Sequence, residues 1–125
     1  MTYAGQADSV TVSLAVTTVQ ATGVAGNDQI LNVENLIGGN GNDTLQGGLG
    51  GDFLTGGAGI DYADYSDSAV GVDVTLGGSG FGGTAEGDTL NTIEGLIGST
   101  FDDTLNGSGS NETLLGGLGD DFLRG

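Results

Sequence analysis

The sequence predicts an all-β chain wound as a parallel β-helix solenoid of short stacked coils, and three observations carry that prediction. Glycine supplies 28 of 125 residues while proline is absent. Apolar residues recur at one fixed place in a nine-residue repeat. Between glycine-rich turns each repeat leaves only three residues, too few for a helix and enough for one strand step with a single inward side chain. The length fits one domain, residues 1–125.

In chain order, the first element is Val10, Val12, Leu14 and Val16, apolar at every second residue, which predicts a strand longer than the steps that follow. The repeats begin with Gly38-Gly39-Asn40-Gly41-Asn42-Asp43-Thr44-Leu45-Gln46 and continue with Gly47-Gly48-Leu49-Gly50-Gly51-Asp52-Phe53-Leu54-Thr55. Gly56-Gly57-Ala58-Gly59-Ile60-Asp61-Tyr62-Ala63-Asp64 is the third. Glycine holds positions 1, 2 and 4, aspartate position 6 and an apolar residue position 8. Positions 1 to 6 reverse the chain, which glycine permits through positive φ, and positions 7 to 9 form the strand. Two repeats make an eighteen-residue coil, and coils stack as parallel sheets. Leu45 and Ala63 are expected to line one sheet, with Leu54 facing them from the other.

A second alternating run, Val70, Val72, Val74 and Leu76, opens a second copy. Residues 25–30 align with 85–90, and 33–38 with 93–98, at an offset of 60; residues 10–14 align with 72–76 at 62. The chain therefore reads as two copies of a unit, about 1–64 and 65–125. In the second copy, residues 98–106 keep Gly98, Asp103 and Leu105, and residues 107–115 carry Glu112 where aspartate is expected. Gly116-Gly117-Leu118-Gly119-Asp120-Asp121-Phe122-Leu123-Arg124 restores the full pattern. Leu105, Leu114 and Leu123 continue the inward ladder. The second copy stops at Gly125, the opening residue of a further repeat, so the chain is expected to be a piece of a longer one; residues 1–15 show no basic region followed by an apolar stretch.

Composition removes several functions. With no histidine or cysteine, neither a Ser-His-Asp nor a Cys-His nucleophile nor the usual zinc ligand set is available. One cation, Arg124, stands against 17 acidic residues for a formal charge of -16, so a nucleic-acid backbone is a poor partner. No apolar run approaches the length of a membrane span. The partner such a chain asks for is a metal cation.

The energetics lead to the same partner. One leucine per half coil contributes roughly 1.5–3 kcal/mol, whereas each ordered residue costs roughly 1–2 kcal/mol of backbone entropy. Stacking also sets the position-6 carboxylates in rows about 4.8 Å apart, where like charges repel unless a cation lies between them. Glycine loops with free carbonyls and one carboxylate each are hard oxygen donors, which suits calcium; magnesium demands tighter geometry and is expected to bind more weakly.

The pattern Gly-Gly-x-Gly-x-Asp-x-apolar-x resembles the RTX (repeats-in-toxin, hemolysin-type) nonapeptide of secreted bacterial toxins, proteases, lipases and epimerases. The resemblance implies a right-handed parallel β-roll, several calcium ions between loops i and i+2, type I secretion and an extracellular location. It implies metal positions at Asp28, Asp43, Asp52, Asp61, Asp88, Asp103 and Asp121. Carbonyls would come from Gly38, Gly39, Gly41, Gly47, Gly48, Gly50, Gly56, Gly57, Gly59, Gly116, Gly117 and Gly119. Asp43 and Asp61 would share a site. A non-glycine corner over residues 32–37 would place Asp28 beside Asp43 and Glu34 on the side of Asp52. Asp88, Asp103 and Asp121 would form the corresponding row, while Glu94 and Glu112 would share the other side, where Ser108 and Ser110 predict a weak or empty site.

Plainer readings stand beside these. Glycine loops serve as flexible linkers elsewhere, and a position-6 aspartate can bond its own backbone. Asn42-Asp43-Thr44 and Asn111-Glu112-Thr113 match the glycosylation triplet by accident of composition. Tyr62, Tyr65, Phe53 and Phe122 are expected to cover the thin edge of the coil, with sugar stacking the alternative. Glu34 and Glu94 occupy equivalent places in the two copies, which favours structure over acid–base catalysis, and Asp8, Asp64, Asp67 and Asp73 read as solvated charge. The functional reading is a non-enzymatic calcium-binding module that folds outside the cell. The alternatives are a structural or adhesive spacer with end-to-end self-association, or a polysaccharide-binding accessory module.

Overall fold

A computed structural model describes residues 1–15, 20–22, 26–31, 33–109 and 111–125. Among them the protein is all β, with short strands, one 3-10 turn at Gly83–Ala85 and no α-helix. Strands are numbered along the chain. β1 (Thr11–Ser13), β5 (Thr44–Gln46), β7 (Tyr62–Asp64), β11 (Gly95–Ile97) and β13 (Thr113–Leu115) make a five-stranded sheet in that order, parallel throughout. β4 (Asn35–Gly39), β6 (Phe53–Gly57) and β10 (Thr89–Asn91) make a second parallel sheet. The third sheet runs β9 (Gly80–Phe81), β8 (Asp73–Thr75), β12 (Thr104–Asn106), β14 (Phe122–Arg124). β2 (Gln20–Ala21) and β3 (Asn27–Asp28) pair antiparallel.

Glycine-rich turns allow only three to five residues per strand, so consecutive strands must change sheet, and the apolar residue of each turns inward. The eighteen-residue coil is visible in register: Leu45 opposes Ala63, Leu36 opposes Leu54, Leu96 opposes Leu114 and Leu105 opposes Leu123. Leu36, Leu45, Leu54, Ala63, Leu96 and Leu105 are fully buried in one continuous core that also takes in Tyr65, Val74 and Leu90. With one inward side chain per strand, each leucine has few neighbours able to close a gap. Leu54→Ala is therefore expected to cost about 2–5 kcal/mol, the range for buried leucine truncation, read as a lowered Tm of the folded protein.

The two copies do not take equivalent places. An offset of 60 is not a multiple of eighteen, so β4 and β6 lie in the second sheet while their counterparts β11 and β13 lie in the five-stranded one. The adjustment is made between β7 and β11. The chain passes to β8, returns through the β8–β9 hairpin, and an antiparallel bridge from Ser79 to Thr89 leads into β10 beside β6. β11 then pairs with β7, joining the copies directly.

The alternating runs are buried at Val10, Val12, Val72, Val74 and Leu76, but Val70 is exposed and Val16 lies outside the described residues. Of the aromatics expected to cover the coil, Tyr62 is half-buried with its ring against Gly95, and the others are placed differently. Phe53 and Phe122, one residue before an inward leucine, point outward and are more than half exposed, whereas Tyr65 is a core residue. Leu123, at the inward ladder position of β14, the edge strand of its sheet, is 46% exposed.

Candidate metal centre

Position 6 ends each loop just before its strand, so stacking brings the carboxylates into rows, and hydrogen bonds tie each row together. The amide of Asp43 donates to Oδ1 of Asp61 at 2.8 Å, that of Asp52 to Oδ1 of Asp88 at 2.8 Å, and that of Asp103 to Oδ1 of Asp121 at 3.0 Å. Val10 and Val72, which hold the same place in coils without a loop aspartate, donate to Oδ1 of Asp43 and of Asp103 at 2.9 and 2.8 Å. One carboxylate oxygen thus satisfies the amide of the preceding coil, which would otherwise be a buried unpaired donor.

Among Asp43, Asp52, Asp61 and Asp103 the second oxygen has two fates. In Asp43 and Asp103, Oδ2 accepts the amide at position 2 of its own loop, from Gly39 and Ser99, at 2.6 Å each. Glu112 does the same through Oε1 and the amide of Ser108 at 2.6 Å. This is the self-capping use that the plainer reading of aspartate anticipated. Asp52 and Asp61 differ: their Oδ2 atoms are buried without a hydrogen-bond partner, although the residues are 3% and 0% exposed. In their loops position 2 is Gly48 and Gly57, both at positive φ, +88° and +118°.

The electrostatics follow from burial. The Asp52 carboxyl is pushed up to about 6 by loss of water and then by the charges of Asp88 and Glu34. Asp61 also rises to about 6, again through burial first; the Asp43 amide opposes the shift and the charges of Asp43 and Glu94 add to it. Asp88 reaches about 6 by burial, opposed by the Asp52 amide and the Tyr65 hydroxyl, which donates to Asp88 Oδ2 at 3.1 Å.

Stacked loops approach too closely for side chains. A Cβ at Gly57 would strike the Gly39 carbonyl oxygen, one at Gly59 the Gly41 oxygen, and one at Gly38 would lie 2.6 Å from the Gly56 oxygen and against Asp43 Oδ2. In the second copy Gly117 meets the Ser99 oxygen, Gly119 the Phe101 backbone, and Gly98 the Gly116 oxygen and Asp103 Oδ2; Gly116 meets Asp121 Oδ2. Gly47 lies against Asp52 Oδ2, while Gly50 faces open space. Among the described residues no three acidic side chains converge as a metal group, so carbonyls must complete any coordination shell. Two orphaned carboxylate oxygens, that of Asp61 beside the Thr92 carbonyl, with no histidine or cysteine in the chain, fit a hard cation of the calcium kind.

Residues 33–63 and 96–123 match the family described as the RTX calcium-binding nonapeptide repeat, in 4 copies. Those two segments carry RTX calcium-binding nonapeptide repeats. Such repeats bind several calcium ions per repeat region, and the chain is accordingly a calcium-binding repeat module. Searches of curated proteins and of solved structures returned no match.

Within the RTX array the structure regroups two of the expected residues, Asp28 and Asp88, and adds Glu94 to the row of Asp43 and Asp61 while keeping it beside Glu112. Asp28 is not beside Asp43: it accepts hydrogen bonds from Tyr3 Oη and Thr22 Oγ1, at 3.0 and 2.8 Å, and Val10 occupies the place next to Asp43. Asn32, at the start of the expected corner, lies outside the described residues, as does Ser110. Asp88 pairs with Asp52, whereas Asp103 and Asp121 pair with each other. Glu94 sits in the row of Asp43 and Asp61, its Oε2 accepting the Asp61 amide at 3.0 Å, and Thr113 donates to its carbonyl. Thr92 and Tyr65 also join the site region; nothing in the nonapeptide pattern marks them.

Proposed function

We propose that the chain is the calcium-responsive, non-enzymatic module of a secreted bacterial protein, a single right-handed parallel β-roll over residues 1–125 that folds when calcium binds outside the cell. The observation that carries this reading is the pair of buried, unpartnered oxygens, Asp52 Oδ2 and Asp61 Oδ2, in loops that offer only further oxygens. The right hand is the one that parallel crossover connections take almost without exception. The metal supplies positive charge and an acceptor-satisfying shell. The chain's residues do the rest: Asp43, Asp52, Asp61, Asp88, Asp103 and Asp121 present the carboxylates, the Oδ1 atoms of Asp43, Asp61, Asp88, Asp103 and Asp121 hold the coils in register, and the glycine positions let carbonyls approach.

Folding and binding are then one equilibrium. A ligand that binds only the folded state stabilises it by about 2.7 kcal/mol per site at a hundredfold excess over Kd, so several sites offset the entropy of a glycine-rich chain. Where calcium is scarce, inside the cell, the chain stays unfolded and fit for export. The test is far-UV circular dichroism in chelator and then in rising calcium. A cooperative coil-to-β transition at about 0.1–1 mM calcium, with magnesium far less effective, is the expected result. A chain already β-rich in chelator and indifferent to calcium would overturn it.

The spacer reading has one observation of its own. Phe122 and Leu123 on the last strand are 61% and 46% exposed, an open apolar edge that suits end-to-end contact. Concentration-dependent association in calcium, seen by sedimentation, would support it.

A further inference from the structure

Where the two copies meet, a set of oxygens gathers that the nonapeptide pattern does not account for. The loop at residues 56–61 is the last complete repeat of the first copy, and its next neighbour in the stack is the corner at residues 92–94, outside both matched segments. Asp61 is 0% exposed; its Oδ1 takes the Asp43 amide, and its Oδ2 has no partner. A Cβ at Gly56 would strike both that Oδ2 and the carbonyl oxygen of Thr92, so the two oxygens converge on one point beside the Gly56 Cα. Thr92 is held in place by its Oγ1, which accepts the Gly57 amide at 2.9 Å. Glu94 is fixed on the same edge: its Oε2 accepts the Asp61 amide at 3.0 Å, and the amides of Glu94 and Gly95 both donate to the Asp61 carbonyl at 2.9 Å.

We propose that Asp61 Oδ2, the Thr92 carbonyl and the Glu94 carboxylate bind a calcium ion at the seam between the two copies. It is a site additional to those between glycine loops. The proposal rests on the calcium-binding reading of the repeats and assigns residues outside them. Two carboxylates and one carbonyl are hard donors, and water fills the remaining places of a six- to eight-coordinate ion. With fewer protein oxygens than a loop-on-loop site, the seam fills last. Its occupancy joins β7 to β11, and with them the first copy to the second.

Glu94→Gln tests this, because the amide oxygen can still accept the Asp61 N–H while the charge is gone. Calorimetric titration should count one calcium fewer in E94Q than in the unmodified chain, with the β transition retained. Asp73→Asn, an equal charge change at an exposed residue of β8, should leave the count unchanged. A second readout is local. The Tyr62 ring lies against Gly95, where a Cβ would strike it, so terbium at the seam should be sensitised through Tyr62 and lose that emission in E94Q. If the unmodified chain neither binds calcium nor folds with it, the parent reading falls and the seam site with it. If it folds and E94Q keeps both the full count and the terbium emission, the seam site alone is overturned. Should E94Q fail to fold at saturating calcium, Glu94→Asp, which withdraws the carboxylate by one methylene, takes its place. A last site at least tenfold weaker supports the proposal, and an unchanged one overturns it.

Discussion

Gly59→Ala is expected to shift the calcium requirement for folding far more than Gly50→Ala, although both remove a position-4 glycine from neighbouring repeats. The two share a backbone problem, with φ of +134° and +109°, and an L side chain in that region costs roughly 1–3 kcal/mol. They differ in what the new methyl group meets. At Gly50 there is nothing within 4 Å. At Gly59 the methyl would overlap the Gly41 carbonyl oxygen and lie 2.8 Å from its carbon and 3.1 Å from Asn42 Oδ1. The Asn42 amide oxygen also accepts the Ile60 N–H at 3.0 Å, so it has no freedom to withdraw. The loops at residues 38–43 and 56–61 would have to part, carrying the Asp43–Asp61 link with them. Strain of about 1–3 kcal/mol is shared among the several ions whose binding drives folding, so Gly50→Ala should raise the calcium midpoint by about two- to fivefold. Gly59→Ala should raise it by a further factor of ten at least, or abolish the transition. Equal shifts in circular-dichroism titrations would show that backbone strain, not loop approach, sets the glycine requirement.

This contrast also marks how far the sequence could be read. A period of nine gave the coil, because glycine at positions 1, 2 and 4 and leucine at position 8 admit few other structures; Leu45 against Ala63 follows directly. The carboxylate rows were legible for the same reason. Asp43 with Asp61 and Asp103 with Asp121 are eighteen apart, and their coils contain nothing but repeats. Legibility failed where the period does. Between residues 64 and 95 the chain spends its length on a hairpin and a 3-10 turn, so Asp52 meets Asp88 at a separation of 36 and Asp61 meets Glu94 at 33. Sequence alignment of the copies, correct at an offset of 60, misplaced them in space because 60 leaves part of a coil over. One signal was available: Gly77-Gly78 after Val72-Asp73-Val74-Thr75-Leu76 reads as a hairpin turn, and Gly77 indeed has φ of +68°. The positive φ of Thr92, +47°, has no such marker.

Acidification is expected to do in chelator, in part, what calcium does at neutral pH. Asp52, Asp61 and Asp88 have carboxyls raised from 3.8 to about 6, chiefly by burial. Between those values the folded chain holds protons that the unfolded chain has released. Stability therefore falls as pH rises through the window, and the full penalty is present above about 6. The metal-free protein should gain β content on going from pH 7 to pH 5. Calcium should act in the opposite sense: its carboxylate ligands must be ionised, so its affinity should weaken as pH drops below about 6. The two dependences cross, and the calcium-induced gain in order should be largest at neutral pH and small at pH 5. General relief of a -16 charge would also favour compaction in acid, but most of the 17 carboxyls would deliver that near pH 4. The Asp52→Asn/Asp61→Asn protein separates the causes. Its amide oxygens keep acceptors where the carboxylates stand, while the buried charge is removed. In chelator at pH 7 it should show β content approaching that of the unmodified chain at pH 5, with a smaller change between those values that comes from Asp88. Its calcium midpoint should rise at least tenfold. If the unmodified chain in chelator loses order between pH 7 and pH 5, or the double variant keeps the same pH profile, burial of these carboxylates is not what opposes folding.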